Sequence, residues 1–531
     1  MNKITRIVGV MLAMAGLVAS CNLDREPEDY VPFEKSYLNL QDAKKWDNGI
    51  YSTLRGKFGG GYILPQEVQA DMLTPHAAYN GLYSKFYDWG FKPEQEELKA
   101  IYHSYYAALI DANIVLESAP KLQLNAEDKR QLEVYMGNAY FARAFYHFSL
   151  ALRWGMPYKA ESASTDLCIP IRTEAFDLTK PQRATNEITY KLILEDLDKA
   201  EQLLASVVTK EGNKEISADA ARALRARVYL YMGRWEDALK TSEELIKTGR
   251  YPLIAPLAAD GKDPEGENNP FVQMWHYDNG KEQIWMPYVE RPNEIPTTTN
   301  LYGADLDTYN YFANLGATPT NYNKPPYLPA GPIVYEYFKD NDRRNAAYLE
   351  YTTTTVSDRN QTAEIFVISK FKGNPRHSTL TSTQWGGYVP NGIAAPKPFR
   401  IAEQYLIAAE AAEATSNADA AKKYLNELRS SRGLATTEAM GEELRKEIRD
   451  ERARELAYEG FRLWDLRRWG MSIQPRVRQG THAQHTVSGY FFADGVELTQ
   501  TIEPEHHKWV WPFPQDEIAQ VNKRLVQNPG W

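Results

Sequence analysis

Two stretches combine flat aromatic side chains with polar ones able to fix hydroxyls, the pairing that a site for a sugar ring requires. The first runs from Asp71 to Trp89 and holds Asn80, Tyr83, Lys85 and Tyr87 between them. The second is region 252–397, where Trp275, Trp285, Tyr302 and Trp385 stand out. An aromatic face can lie under a pyranose C–H face while a carboxylate or amide holds its hydroxyls. Asp71, Asn80, Tyr83, Trp89, Trp275, Trp285, Tyr302 and Trp385 are therefore the candidate ligand-binding residues. Each also has a plainer role open to it, because aromatics with a polar tip fill cores as readily as they meet ligands.

Bond-breaking chemistry finds little support. The nine histidines are scattered, and no His-Glu-x-x-His, Cys-x-x-Cys, nucleophile elbow or phosphate loop occurs. Gly59-Gly60-Gly61 lacks the Lys-Ser/Thr that a phosphate loop needs. His506 and His507 are adjacent, so they are expected to diverge as a solvated pair and not to hold a metal. No catalytic residue, metal or cofactor is expected. The 70 acidic residues nonetheless permit many carboxylate pairs, so a surface glycosidase stays open as an alternative.

The formal charge of −9, without a basic block, argues against nucleic-acid binding. At the N-terminus, Lys3 and Arg6 precede an apolar run, Ile7 to Ala19, of signal-peptide length and too short to span a bilayer. Its end, Leu17-Val18-Ala19-Ser20-Cys21, resembles a bacterial lipobox, in which residues 1–20 are removed and Cys21 is lipidated. Residues 21–35 are then anchor and polar tether. Cys168 is the only other cysteine, so with Cys21 lipidated no internal disulfide is available.

The elements that must position the candidates are mainly helical. Apolar spacing predicts a helix over 94–118 through Leu98, Ile101, Tyr105, Ala108, Ile110 and Ile114. A second covers 129–153 and stops at Gly155-Met156-Pro157, and a third starts near Thr185. In 218–249, Ala226, Tyr229, Gly233, Trp235 and Ala238 match the spacing of a tetratricopeptide helix pair, and 398–432 offers a second such pair. Region 252–397 is rich in Pro, Gly, Asn and Thr, with strand-like pieces such as Ile365 to Ile368, and reads as an ordered loop-rich lobe.

The segment Ile448-Arg449-Asp450-Glu451-Arg452-Ala453-Arg454-Glu455-Leu456-Ala457-Tyr458-Glu459-Gly460-Phe461-Arg462-Leu463-Trp464-Asp465-Leu466-Arg467-Arg468-Trp469-Gly470 resembles the signature helix of the SusD/RagB family. Ala142 to Tyr146 with Arg153 to Pro157, Phe399 to Ala411, and Pro512 to Ile518 followed by Gln527 to Trp531 are similar to further family segments, in the expected order. Apart from the resemblance, Asp450–Arg454 and Asp465–Arg468 sit at helix-neighbour spacing and read as solvated structural pairs.

The resemblance implies a mainly α fold. Tetratricopeptide-like helix pairs would form a superhelical frame over about 36–251 and 398–475. An irregular ligand lobe with short strands would cover 252–397, followed by a C-terminal segment, 476–531. It also implies a lipid-anchored, non-enzymatic protein of the outer membrane, facing the cell exterior. Such a protein captures an oligosaccharide, or in RagB-like members a peptide, for a SusC-like TonB-dependent transporter. The loops near Asp71 to Trp89 correspond in position to loops that contact ligand in the family.

Overall fold

The computed structural model describes residues 36–531 apart from 77–80, 178, 258–261, 290–293, 295–326, 339–340, 357–360, 378–393, 483–484, 487–491, 493–495 and 497. Cys21, Asn80, Tyr302 and Trp385 lie outside the described residues.

Helix α1 (Leu40–Lys57) opens on Asn39, whose side chain accepts from the Asp42 amide. The short helices α2 (Leu64–Gln69) and α3 (Ser84–Tyr87) flank strand β1 (Leu73–Pro75). In α4 (Glu96–Ser118), Leu98, Ile101, Tyr105, Ala108 and Ile114 are buried, while Ile110 is only half-buried beside buried Leu109. Helix α5 (Ala126–Trp154) is the central rod. Asn125 caps it, and from Gly137 to Trp154 only Tyr140 escapes burial. A helix buried all round must have neighbours on every side. One is α6 (Asn186–Leu203), whose end comes so close that a Cβ on Gly137 would lie 2.8 Å from Leu204 Cγ.

The expected helix pair is α7 (Ala218–Met232) and α8 (Trp235–Lys247). Gly233 makes the turn at φ +68°, a conformation that a Cβ would penalise. Ala226 and Ala238 are fully buried, which lets the two backbones approach. After α9 (Pro270–His276) and α10 (Asn345–Tyr348), the second pair follows as α11 (Ile401–Ala414) and α12 (Ala418–Ser431). The helices α13 (Gly441–Glu455) and α14 (Arg462–Arg468) follow. Stacking runs α4 on α5, α5 on α6, α6 on α7, α7 on α8, then α8 on α11 and α11 on α12 and α13. The two helical stretches thus form one continuous frame, because neither pair alone covers its apolar face.

The remaining strands are β2 (Leu167–Pro170), β3 (Arg183–Thr185), β4 (Gln283–Trp285), β5 (Tyr327–Pro329), β6 (Leu349–Val356), β7 (Gln361–Ile368), β8 (Phe399–Arg400), β9 (Thr481–His482) and β10 (His485–Thr486). They form antiparallel pairs β1–β5, β2–β3, β4–β8, β6–β7 and β9–β10. The β4–β8 pair sets Trp285 opposite Phe399 and so ties a piece of region 252–397 into the frame.

The signature segment departs from the sequence reading. Asp465 does meet Arg468, at 2.9 Å, but the pair is buried and shared with Arg452, whose Nε lies 2.7 Å from Asp465. Arg454 pairs with Glu451, not Asp450, which takes Lys446 instead. Glu455 lies at the centre of a buried network. It accepts from Arg344, Arg400 and Arg432, and Arg432 also binds Glu282 through two hydrogen bonds. Helical spacing identifies which charges can meet, but partners from other segments decide which of them do, as Glu410 takes Arg468 and Arg344 takes Glu451.

Candidate functional site

The Asp71–Trp89 stretch is held on a small β-rich patch. Strand β1 pairs with β5, His76 bridges Phe492, and Ala330 bridges Arg478. Gln479 accepts from the Phe366 amide at 2.8 Å and donates to the Phe366 carbonyl at 2.9 Å, which joins the β6–β7 hairpin to the same patch. The Tyr335 hydroxyl accepts from the Gly480 amide at 2.7 Å.

Within this patch the candidates separate. Asp71 is anchored: each of its carboxylate oxygens accepts from Arg462 at 2.8 Å. Burial works against its charge, but the Arg462 guanidinium outweighs that and holds the carboxyl below its usual value. Tyr83 is half-buried at φ +52°, with its ring edge-on to Phe86. Trp89 is a core residue. Its ring is 2% exposed, wedged against Trp509 and His506, and its indole N–H donates to the Gln69 carbonyl.

The two described lobe tryptophans, Trp275 and Trp285, are core residues too. Trp285 is 0% exposed among Phe58, Phe141 and Phe399, and its indole N–H donates to the Lys214 carbonyl. Trp275 packs edge-on against Tyr348 and Phe371, with Lys370 Nζ 4.2 Å from its ring centroid. These three indoles therefore offer no open face for a sugar. Helix α9 and strand β4 carry both of these rings onto the frame.

Sequence reasoning missed Tyr351. It stands on β6 at 49% exposure, opposite Phe366 with ring centroids 4.8 Å apart, and its hydroxyl donates to Glu364 at 3.0 Å. The available signal was the β-branched run after it, which pairs with the strand that was expected around Ile365. A separate cleft of about 460 Å³ lies between α9 and the start of β6, with Asp263, Glu265, Asn269, Glu350 and Lys372 on its walls. Among the described residues it carries polar groups for hydroxyls but no Tyr, Trp or Phe.

His506 and His507 do not diverge: their rings stack with centroids 4.9 Å apart, and His507 meets Trp531 edge-on. The tight turn at His507–Trp509 replaces the regular backbone that would have separated them. Burial holds both imidazoles below their ordinary pKa, aided by Lys508. Among the described residues no three His, Cys, Asp or Glu side chains converge as a metal site. Cys168 is a buried free thiol pushed up to about 12 by burial, which makes it unreactive.

Comparison with known proteins agrees with this architecture. The family model described as "SusD family" matches residues 269–531, and one described as "Starch-binding associating with outer membrane" matches 49–230. A SusD-like protein, P38, of Formosa agariphila is 24% identical over 506 residues, 88% of this chain and 92% of that protein. A second from the same organism, P2, is 23% identical over 100% of this chain and 99% of its own length. Among solved structures, a SusD superfamily protein from Bacteroides thetaiotaomicron superposes with TM-score 0.71 at 23% identity, covering 93% of this chain and all of that one. A protein described as a putative sugar binding protein from Bacteroides vulgatus gives TM-score 0.69 at 22% identity, over 93% and 99% of the two chains. With matched segments on both halves of the frame and the fold shared end to end, the chain belongs to the SusD/RagB family.

Proposed function

We propose that this chain is a surface lipoprotein, anchored in the outer membrane through Cys21, that binds a glycan and passes it to a SusC-like TonB-dependent transporter without cleaving it. The observation that carries this reading is the family match, one of whose models is described as starch-binding and outer-membrane-associated. The β-rich patch around β1, β5 and the β6–β7 hairpin is the ligand face in this reading, with Tyr83 and Tyr351 as its stacking residues. It sits where the Asp71–Trp89 stretch and the hairpin are joined through Gln479.

The test is retardation of the full-length protein in native gels cast with a panel of polysaccharides. A shift with one glycan that weakens about tenfold or more in Tyr83→Ala or Tyr351→Ala is the expected result, since one stacked aromatic contributes on the order of 1–2 kcal/mol. Retention of the shift in both variants removes the patch from the site. Binding of peptides and of no glycan supports the RagB-like alternative, and release of product from a bound glycan overturns the non-catalytic reading.

A further inference from the structure

A partly open cavity of about 130 Å³ lies between the helical frame and region 252–397, bounded by the end of α1, helices α4, α5 and α7, segment 458–464, and Trp275, Phe371 and residues 394–398. Its wall is largely aromatic, with Phe58, Tyr105, Phe145, Phe148 and Trp464 contributing rings. A cavity of roughly 150 Å³ is known to admit benzene, so this one has room for a single ring and not for an oligosaccharide.

The chemistry lies in its cations. Lys57, Arg153, Arg227 and Lys397 line it and all are buried. Two of these are neutralised. Arg227 binds Glu403 through two hydrogen bonds of 2.7 Å, and Lys397 sits 2.7 Å from Asp278. The other two have only neutral hydrogen-bond partners among the described residues. Lys57 donates to the Tyr62 hydroxyl at 3.0 Å and to Ser104, while Arg153 donates to the carbonyls of Ser149 and Tyr62. Among the described residues the buried Arg153 Nε has no hydrogen-bond partner. Tyr105, Trp464 and Trp511 lie within 6 Å of the Arg153 guanidinium and give it ring faces instead of a carboxylate.

Buried charge is ordinarily paired, and two like charges facing one low-polarity space are costly. Burial pushes Lys57 below its usual pKa, with Arg153 adding to the effect, and pushes Arg153 down as well. Within the chain the Tyr62 hydroxyl accepts from Lys57, and the more distant Asp111 carboxylate favours the lysine's charge, while Glu459, which also lines the cavity, is engaged by Lys370 and Arg400. An incoming anion would relieve both cations at once.

We propose that this cavity binds a small carboxylate carried on a single ring, with the carboxylate against Lys57 and Arg153 and the ring among Phe58, Phe145, Phe148 and Trp464. A free aromatic acid and a uronic acid share that chemistry. The site is separate from the proposed glycan face, so the failure of one does not entail the failure of the other.

Isothermal titration calorimetry of the full-length protein with benzoate and glucuronate, against benzamide and glucose as uncharged counterparts, tests it. The expected result is binding of at least one acid, with its uncharged counterpart weaker by about tenfold or more. Benzoate alone identifies an aromatic acid, and glucuronate alone a uronic acid. Lys57→Gln weakens the acid by about tenfold, whereas Asp450→Asn, which touches only the Lys446 pair on the outer face of α13, leaves it unchanged. No heat from either acid, equal binding of the uncharged counterparts, or undiminished binding in Lys57→Gln overturns the proposal. The acid-against-neutral comparison uses the unmodified protein and stands whether or not Lys57→Gln folds.

Discussion

Removing the Trp285 indole takes a ring out of a fully enclosed aromatic cluster and strands the Lys214 carbonyl that accepts from it. Trp285→Ala or Trp89→Ala is therefore expected to cost about 3–5 kcal/mol in chemical denaturation. Tyr351→Ala, on an exposed strand face, should stay within about 1 kcal/mol while still affecting glycan retardation. Asp47 gives a second residue-scale prediction. It is buried, accepts from Asn138 Nδ2 at 2.8 Å, and burial, with Glu215 adding to it, raises its carboxyl to about 7 against that hydrogen bond. A folded-state value above the unfolded one means that the stabilising protonation is complete below about pH 4 and is lost as pH rises toward 7. Glu67, raised to about 8 by burial, has the same sign. Denaturation at pH 4 and pH 8 should show Asp47→Asn stabilised relative to the parent at pH 8, by on the order of 3 kcal/mol, and nearly unchanged at pH 4. Of the candidate ligand residues that are described, Tyr83 alone keeps a half-buried ring on the β-rich patch. Composition marks an aromatic as able to stack but not which way it faces, and for Trp89, Trp275 and Trp285 the answer lay in long-range packing.

At the scale of elements, the signature helix α13 separates surface charge from structural charge. Glu455 neutralises three buried guanidiniums, so Glu455→Gln leaves Arg344, Arg400 and Arg432 sharing Glu282, Glu451, Glu459 and Asp342. Breaking one member of such a network is expected to cost about 3–5 kcal/mol. Asp450→Asn removes only the Lys446 pair on the outer face and should cost less than about 1 kcal/mol. Equal losses from the two substitutions, read by the same denaturation, would contradict the network's structural role. The helices themselves were legible because their signals are local. Apolar positions three and four apart located α4 through α8, and Gly233 marked the turn between α7 and α8. The short strands were not, because β1–β5 and β4–β8 pair segments more than a hundred residues apart and carry no local signature.

For the whole molecule, the question is how a body with this interior stays at a membrane. Among the described residues no helix is long and apolar enough to cross one, including the long α5, whose buried surface belongs to the frame. Under the proposed reading, attachment rests on the lipid at Cys21. Several acyl chains, at roughly 0.8 kcal/mol per buried CH₂, make such an anchor durable without a spanning segment. Cys168 cannot substitute, because its thiol is fully enclosed and held protonated by burial. Cys21→Ala is expected to abolish incorporation of labelled fatty acid and to move the protein from the membrane to the soluble fraction. Cys168→Ala should leave both unchanged. Label persisting on Cys21→Ala would show acylation elsewhere. Loss of label with full membrane retention would show that protein contacts, and not the lipid, hold the chain in place.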